Sequence, residues 1–339
     1  MDRRNMLKAT LASATALSLG SATGTAMAGD KKVRLRMQSY WGKEAKEVFG
    51  TFTDNVKTAT DGAIRIKRYE GSSIVPDADM MSAVSKGTLD MCEGYGGYWP
   101  GKIDLAAIES GLPGAWTSFD EAMYIFNQGG LGKLIGEAYA EHGIHYLGPM
   151  FGGDYDLLTK TEVKSLDDLK KMKIRATPTT AKVLQQLDIP TVFMPGSELY
   201  VGLSTGVIDG CIFGGPLEYK SMKLFEAASH YTRLNMVNPG YADGVLINQK
   251  KWESFSDAQR KIIEMAYQSH ASNMHSWIVA GNIEASAGDL FKFGSLNAED
   301  SARLLKASQA VWEEEAKKSA RNQKAIDILK ATAKANGRA

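Results

Sequence analysis

The sequence predicts an α/β protein built from two lobes of like architecture, each with a mainly parallel sheet flanked by helices. Two observations support this prediction. Strand-like and helix-like segments alternate along most of the chain, which is typical of β-α-β units. One such unit also recurs, because the residues from Ser85 to Gly96 match those from Ser204 to Gly215 in type and spacing. Agreement over this length indicates that both lobes contain the same supersecondary unit.

The first half of the chain opens with apolar and polar residues that alternate from Val33 to Gln38, the pattern of a half-buried strand. A helix is predicted from about 43 to 60, because Asp61 and Gly62 form a typical helix C-terminus. The other predicted elements of this half are strands over 63–69, 89–92 and 145–150 and a helix over 78–85 that ends at Gly87.

The second half repeats the alternation. Ser165, Ser197 and Ser256 each precede a predicted helix, where a hydroxyl can accept a hydrogen bond from a free backbone N–H. The predicted strands cover 173–176, 191–194, 207–211 and 244–248, and the helices cover 166–169, 179–187, 198–206, 256–287 and 298–334. The last helix carries Leu304, Ala307 and Val311 on one face, which should pack against a lobe.

Residues 1–28 have the features of an export signal: a charged start, an apolar centre and small residues at Ala26 and Ala28. Arg3 and Arg4 indicate the twin-arginine type, although an ordinary secretory signal fits the same pattern. Removal of this segment changes the net charge from +1 to −1, since three basic residues and one acidic residue leave with it. A near-neutral chain is not expected to bind nucleic acid, and the signal predicts a periplasmic location.

The reactive side chains favour binding over catalysis. Cys92 and Cys211 are expected to be buried free thiols rather than a disulfide. His142 and His145 lack the neighbouring Cys, His or Glu ligands of a zinc site. The motifs of serine hydrolases, zinc proteases and nucleotide-binding loops are also missing from the sequence.

Glycine-rich segments follow both copies of the repeated strand. Segment 94–101 places Tyr95, Tyr98 and Trp99 among four glycines, and segment 212–216 contains Phe213 and Gly214. Glycine lets the backbone approach a ligand closely, and aromatic rings form rigid walls. Because ligands bind beyond the carboxyl ends of parallel strands, both segments should face one cleft.

Arg175 lies at the end of the predicted strand 173–176, just before a helix. A surface ion pair would be the ordinary role of an arginine. At the carboxyl end of a strand, however, a guanidinium can hold a carboxylate through two parallel hydrogen bonds. The position therefore predicts an anion site in the cleft.

Four segments together resemble the substrate-binding proteins of tripartite ATP-independent periplasmic (TRAP) transporters: GSSIVPDADMMSAVSKGTLDM, VKSLDDLKKMKIRATP, PGSELYVGLSTGVIDG and INQKKWESFSDAQRKII. The third segment is similar to the subfamily that binds 2-oxo acids and other monocarboxylates. The resemblance implies a two-lobed periplasmic binding protein fold with a long bracing helix and a C-terminal helix. It also implies docking on a sodium-driven TRAP permease and no catalytic activity.

The element order and the resemblance place residues 29–152 and about 241–280 in lobe I. Residues 153–240 and about 281–339, with the C-terminal helices, fall in lobe II. The C-terminal helix can pack on its own lobe or exchange with a second chain, so both a monomer and a dimer built through this helix are consistent with the sequence.

The resemblance also assigns candidate site residues. Arg175 aligns with the arginine that binds the substrate carboxylate in the family, and Glu198 falls on a helix where it could support the ligand-binding network. We hypothesise a small organic acid held by Arg175. Its remaining contacts are predicted to come from Trp41, Tyr95, Tyr98, Trp99, Phe213 and Gly214 around the ligand, with Asp154 and Tyr155 placed to read an oxo or hydroxyl group.

One departure concerns a bound cation. The oxo-acid binders use a Glu-Trp pair with a cation, and this chain has Ile212 and Phe213 in those places. Their glutamine on the preceding crossing segment also has no counterpart near Asp154. Sodium or calcium is therefore not expected, although Asp154 or Asp243 could still supply one oxygen ligand.

Two alternatives stay open. The anion could be a sulfonate or an aromatic acid, since the aromatic residues of one exit and the glycines of the other leave room for either. A reading of another class is a periplasmic enzyme on the same two-lobed scaffold, which would need a nucleophile or a metal cluster in the cleft.

Overall fold

The computed structural model describes residues 32–99, 101–236 and 240–338. The predicted export segment, residues 1–28, lies outside the described residues. From Val33 onward the chain forms one compact unit. None of the helices in the described ranges combines the length and apolar character that a membrane span needs.

The order of elements follows the predicted alternation closely. The strands are β1 (Val33–Ser39), β2 (Ile64–Tyr69), β3 (Met91–Gly94), β4 (Ile144–Phe151), β5 (Leu157–Thr159), β6 (Ile174–Arg175), β7 (Thr191–Val192), β8 (Gly210–Ile212), β9 (His230–Arg233), β10 (Ala242–Asn248) and β11 (Lys292–Ser295). The α-helices are α1 (Lys46–Ala59), α2 (Met80–Ser85), α3 (Ala106–Glu109), α4 (Phe119–Asn127), α5 (Leu131–Ala140), α6 (Leu166–Leu169), α7 (Pro178–Gln185), α8 (Leu199–Thr205), α9 (Pro216–Ser221), α10 (Gln249–Glu253), α11 (Asp257–Ala287), α12 (Ala298–Ala316) and α13 (Ala320–Ala335). Strands β5, β9 and β11 were not predicted.

The first sheet has the strand order β2-β1-β3-β10-β4. Strand β1 is parallel to β2 and β3, as the β-α-β pattern predicts. Strand β10 arrives from far along the chain and runs antiparallel to both β3 and β4. Because β10 comes from the second half of the sequence, the first sheet contains strands from both halves.

The second sheet has the order β11-β9-β5-β8-β6-β7. Its parallel pairings are β6 with β7, β6 with β8 and β11 with β9, while β5 is antiparallel to both neighbours. The predicted fold of two α/β lobes is therefore confirmed. The antiparallel pairings arise where the chain crosses from one sheet to the other and returns.

Three connections join the sheets. The chain crosses between β4 and β5, and it returns between β9 and β10. Helix α11 makes the third connection: it packs against α1 and β4 of the first sheet and also against α9, which follows β8 of the second. Residues 257–287 thus form the long bracing helix that the resemblance implied.

Both copies of the repeated unit have the predicted geometry. Gly87 and Gly206 each end a helix with a positive φ, +75° and +78°, a region that favours glycine. Cys92 and Cys211 follow at equivalent places, and both are buried free thiols, as predicted. Burial raises the pKa of Cys211 to about 12, so this thiol stays protonated.

The C-terminal helices divide between the two halves. Helix α12 packs on α7, which follows β6 of the second sheet, and its Leu304, Ala307 and Val311 are buried as their spacing predicts. Helix α13 packs on α3, α4 and α5, which lie between β3 and β4 of the first sheet. Together the two helices contact elements of both lobes.

The three predicted serine caps have different outcomes. Ser256 forms a capping box, in which Gln259 N donates to Ser256 Oγ at 3.3 Å and Ser256 N donates to Gln259 Oε1 at 3.0 Å. Ser165 also forms a capping box. The prediction for Ser197 is wrong, because a short 3-10 helix over Gly196–Glu198 precedes α8 and leaves Glu198 at its start without a side-chain cap.

These caps lead to a stability prediction. Ser256→Ala should lower the free energy of unfolding by about 1 kcal/mol, because it removes the acceptor for a free N–H at the start of α11. Ser197→Ala is the matched control and should change stability by less than about 0.5 kcal/mol. Urea unfolding monitored by circular dichroism measures both. Equal losses in the two variants would contradict this assignment.

Candidate functional site

A small cavity of about 20 Å³ lies between the two lobes. Both sheets and both crossings contribute to its walls. The lining residues are Tyr40, Tyr95, Tyr98, Tyr155, Arg175, Thr177, Phe213 and Tyr241. A space of this size holds about one water molecule, so the lobes must move apart to admit even a small acid.

Contacts across the cavity hold the cleft closed. Tyr95, from the first lobe, and Thr177, from the second, both line the cavity. The ring of Tyr98 meets the ring of Phe193 edge-on, with centroids 6.5 Å apart. A ligand could therefore enter only after the lobes separate, which is the hinge motion typical of two-lobed binding proteins.

Arg175 is the one cationic residue of the cavity wall, and its side chain is fully buried. Strand β6 places it, because the pairing of Arg175 with Cys211 on β8 aims its side chain past the end of the sheet. Nε donates to the carbonyl of Met194 at 2.9 Å, and Nη1 donates to the carbonyl of Ile212 at 2.8 Å. These bonds fix the plane of the guanidinium.

The third nitrogen of the same group has no partner. Arg175 Nη2 is buried and makes no hydrogen bond within the described part of the chain, where no carboxylate forms an ion pair with it either. The rings of Phe193 and Phe213 lie against the guanidinium at 5.5 and 5.3 Å. A buried cation without a counterion is costly, so this arrangement is suited to receive an anion.

Hydroxyl groups face the same space. Tyr155 Oη is buried and has no hydrogen-bond partner in the described ranges. Burial raises the pKa of Tyr98 although nearby Arg175 acts to lower it, so its hydroxyl stays protonated. The cavity thus offers Arg175 Nη2 and neutral hydroxyls as donors, among aromatic rings.

A chain of hydrogen bonds crosses from one lobe to the other beside the cavity. Tyr40 Oη lies 2.6 Å from Asp243 Oδ2 and 3.2 Å from Tyr241 Oη. Tyr241 Oη lies 3.0 Å from Glu218 Oε1, and Gly215 N donates to Glu218 Oε2 at 3.0 Å. Asp243 belongs to β10 of the first sheet, whereas Glu218 lies on α9, which follows β8 of the second. Both carboxyls are therefore connected through tyrosines of the cavity wall.

A wider vestibule adjoins the cavity and shares Tyr40, Tyr98 and Phe213 with it. Trp41 lines this vestibule, where its ring stacks on Tyr40 and meets Trp277 edge-on. Trp41, which was predicted to contact the ligand, therefore lies at the mouth of the cleft and not in the wall of the cavity.

A larger cavity lies elsewhere, between α12, α13 and the segments near Trp116 and Met236. Its walls are mostly apolar, and two of its basic side chains are already paired, Lys330 with Glu313 and Arg338 with Glu121. It lacks a buried cation without a partner, so we assign the ligand site to the cavity at Arg175.

The structure brings together most of the predicted site residues. Tyr95, Tyr98, Tyr155, Arg175 and Phe213 all line the cavity. Gly214 lies directly behind, where a Cβ atom would approach the side chain of Glu218 to 2.9 Å. The expectation that both glycine-rich exits face one cleft agrees with this geometry.

Three predicted residues lie elsewhere. Trp99 is buried in the core of the first lobe, where its Nε1 donates to Tyr139 Oη at 3.0 Å. Glu198 is exposed at the start of α8. Asp154 is half-buried outside the cavity wall, and burial raises its pKa. Trp99 follows a short 3-10 helix after β3 and Glu198 precedes α8, so neither residue lies directly at the end of a strand.

Sequence reasoning missed Tyr40, Thr177, Glu218 and Tyr241. Tyr40 directly follows β1, so the rule of strand carboxyl ends could have found it beside Trp41. Thr177 follows β6 in the same way. Tyr241 comes before its strand, and Glu218 lies on a helix, so no local signal marked either residue.

The predicted oxygen ligands for a cation, Asp154 and Asp243, have different surroundings, and Asp243 Oδ1 is buried with no hydrogen-bond partner in the described ranges. Asp243 is buried and bound to Tyr40, while Asp154 lies outside the cavity. In the ranges that the structure describes, no group of three or more His, Cys, Asp or Glu side chains is arranged to hold a metal ion.

Two α/β lobes with a small, largely aromatic cavity between them are typical of two-lobed binding proteins. The family model for bacterial extracellular solute-binding proteins, family 7, matches residues 38–319. The chain therefore belongs to this family, the substrate-binding proteins of TRAP transporters, as its sequence motifs predicted.

Individual relatives agree with this assignment. The chain is 27% identical over 312 residues to a monocarboxylate 2-oxoacid-binding periplasmic protein of Nostoc sp., covering 90% of this chain and 81% of the relative. Its fold is similar to that of a TRAP solute-binding protein of Chromohalobacter salexigens with bound (S)-(+)-2-amino-1-propanol, with a TM-score of 0.83, 22% identity and coverage of 91% and 97%. A TRAP protein of Pseudoalteromonas atlantica with bound sodium and pyruvate has a TM-score of 0.81, 23% identity and coverage of 91% and 95%.

The buried carboxyl of Glu109 leads to a pH prediction. Burial raises its pKa to about 8, although Tyr139 donates a 2.6 Å hydrogen bond to it. The folded state therefore holds a proton that the unfolded state releases above pH of about 4.5. Between these two pKa values, stability should fall by about 1 kcal/mol per pH unit as the pH rises.

Glu109→Gln should remove this contribution, since the amide oxygen still accepts from Tyr139 and cannot titrate. Urea unfolding at a series of pH values should show that the variant gains stability over the wild type as the pH rises. Glu284→Gln, a change at an exposed site of α11, is the control and should follow the wild-type profile. Parallel profiles for all three proteins would show that Glu109 is ionised in the folded state.

Proposed function

We propose that this chain is a periplasmic receptor that captures a small monocarboxylate, such as a 2-oxo or 2-hydroxy acid, and delivers it to a TRAP permease. One observation carries the proposal: Arg175 is buried in a closed cavity with Nη2 unpaired and no acidic side chain bound to it within the described residues. The negative charge that this group requires would come from the ligand.

The shape and chemistry of the cavity support a short acid. With a volume of about 20 Å³, the cavity must widen when a ligand binds, and it would favour the smallest acids. Aromatic rings such as Tyr98 and Phe213 would cover the apolar part of the ligand, and the unpaired hydroxyl of Tyr155 could donate to an oxo or hydroxyl oxygen. The name of the Nostoc relative and the pyruvate in the Pseudoalteromonas protein support the same ligand class.

We also propose that the acid binds without a metal ion. Ile212 and Phe213 offer no side-chain oxygen, and one of the two carboxyl oxygens of Asp243 is already engaged by Tyr40. Arg175 and the tyrosine hydroxyls would then balance the charge and hydrogen bonds of the ligand by themselves. This distinguishes the site from one in which sodium accompanies the acid.

A sulfonate remains a second candidate, since a guanidinium binds it through the same donors. Larger aromatic acids fit the small cavity less well. Catalysis is not proposed, because binding and release account for the charges and donors that line the cavity, and the family acts in transport.

A ligand panel tests the proposed function. Thermal unfolding is measured with pyruvate, lactate, succinate, ethanesulfonate and benzoate, with product analysis of each sample. We expect the melting temperature to rise with pyruvate or lactate and the acid to be recovered unchanged; at about one hundred times Kd the stabilisation is about 2.7 kcal/mol. Replacing sodium by choline and adding a chelator should leave the shift unchanged. A response to succinate or benzoate alone would contradict the proposal.

Arg175→Lys tests the anchor. A lysine keeps the charge but cannot bond two carbonyls and a carboxylate in one plane, so affinity for pyruvate should fall by about 2–4 kcal/mol, roughly 30-fold to 1,000-fold. Arg233→Lys is the matched control, because Arg233 also lies over a phenylalanine ring of the second sheet but is exposed. Calorimetric titration measures both, and equal affinities in the two variants would remove Arg175 from this role.

A further inference from the structure

Four side chains connect the lobes beside the cavity, in the order Asp243, Tyr40, Tyr241 and Glu218; we call them the interlobe chain. Its three oxygen–oxygen distances are 2.6, 3.2 and 3.0 Å, all within hydrogen-bond range. The two tyrosines line the cavity, whereas the two carboxyl groups do not, although Glu218 lines the adjoining vestibule. Inside the cavity itself, the carboxyls therefore act on a ligand through the tyrosines that they hold.

The number of available hydrogens determines whether all three hydrogen bonds of the interlobe chain can form at once. Three hydrogen bonds need three hydrogens, and each tyrosine hydroxyl supplies one. If both carboxyls were ionised, Tyr40 would donate to Asp243 and Tyr241 to Glu218. The 3.2 Å contact between the two hydroxyls would then contain no hydrogen and would bring two lone pairs together. One additional proton, on either carboxyl, supplies the third hydrogen, so that all three hydrogen bonds of the interlobe chain can form.

Burial and nearby acidic residues favour protonation of one of the two carboxyl groups, Asp243 or Glu218. Glu93 from β3 and Glu109 from α3 act on Asp243 together with Glu218 from α9, and Asp154 acts on Glu218. Burial is the main cause that raises the pKa of Asp243, and burial also raises the pKa of Glu218. The tyrosines that face Asp243 are Tyr40, Tyr95, Tyr98, Tyr146 and Tyr241, all neutral.

The basic groups nearby are directed elsewhere. His270 on α11 lies 3.6 Å from Glu93 Oε2 and packs between Phe49 and Phe52. Arg175 faces the cavity, where the ligand would pair with it. Within the described residues, no cation forms an ion pair with either carboxyl of the interlobe chain.

We propose that Asp243 and Glu218 are positioning residues of the ligand site, which hold Tyr40 and Tyr241 in the cavity wall through a chain of hydrogen bonds that takes up one proton when the cleft closes around the acid. The proposal rests on the proposed function, since it describes the closing of the same site. Because Asp243 and Glu218 belong to different lobes, opening would break the chain and return the carboxyls to water, where both would be ionised near neutral pH.

The affinity for the acid is expected to depend on pH. Closing binds a proton, so a higher proton concentration favours the closed, liganded state. Affinity should fall as the pH rises, by about tenfold per pH unit between the pKa of the carboxyl in the open form and its pKa in the closed form. The acid itself is ionised throughout this interval and so adds no slope.

Calorimetric titration with pyruvate tests the proposal. The enthalpy is measured between about pH 6 and about pH 8.5 in phosphate and in Tris, whose ionisation enthalpies differ, so the buffer dependence gives the number of protons taken up. We expect about one proton per pyruvate. Infrared difference spectra should also show the carbonyl band of a protonated carboxyl group appearing when pyruvate is added.

Glu218→Gln and Asp243→Asn give the sharpest comparison. In either variant the amide donates to its tyrosine and supplies the third hydrogen, so the chain is complete without a proton from solvent. Each variant should still bind pyruvate, but with no proton uptake and no pH slope. Tyr241→Phe, which interrupts the chain, should weaken binding at every pH, and Glu284→Gln should behave as wild type.

Each outcome supports or overturns the proposal. Pyruvate binding without proton uptake by the wild type overturns it while leaving the proposed function intact. Proton uptake that persists in both amide variants assigns the proton to another group, such as Glu109, and also overturns it. Loss of binding in both amide variants with native melting temperatures contradicts the hydrogen count. If neither pyruvate nor any other acid binds the wild type, the proposed function fails and the coupling fails with it.

Discussion

The buried guanidinium of Arg175 is the constraint on which the ligand site depends. Two backbone carbonyls hold two of its nitrogens, and the third is aimed into a closed cavity with no acidic partner among the described residues. A buried cation without a counterion destabilises the folded protein, so a bound anion would stabilise this arrangement. The pairing of β6 with β8, the crossing segments and the cleft all serve to present this one group to a small anion.

Buried acidic residues of the first lobe lie behind the cavity wall opposite Arg175. Glu109 and Asp243 are buried in the first lobe, and burial is the main cause that raises the pKa of both carboxyls; nearby Glu93 and Glu109 also raise the pKa of Asp243. Tyrosine hydroxyls lie between these carboxyls and the cavity, so the ligand meets neutral donors rather than a negative field. An aromatic ring with a hydroxyl tip suits this place, because one side chain covers the apolar part of a ligand and still satisfies a polar neighbour.

Much of the fold could be predicted because its signals are local. Alternation marked β1 and β2, the glycines at 87 and 206 ended helices where a positive φ was required, and Ser256 marked the start of α11. The strands that were missed, β5, β9 and β11, have three or four residues each. Segments this short contain too few positions for a period of two to be recognised; the equally short β6, β7 and β8 were found only through the alternation with helices and the repeated unit.

The sequence by itself determined the class of protein, the repeated strand unit, the two glycine-rich walls and the arginine at the end of β6. These features depend on residues that are neighbours in the chain. The tertiary structure decided that Trp99 turns into the core, that Glu198 stays exposed, and that Tyr40, Tyr241, Asp243 and Glu218 meet. Such contacts join residues up to 203 positions apart, and only the packing of β10 between β3 and β4, against the closed second lobe, brings them within hydrogen-bond distance.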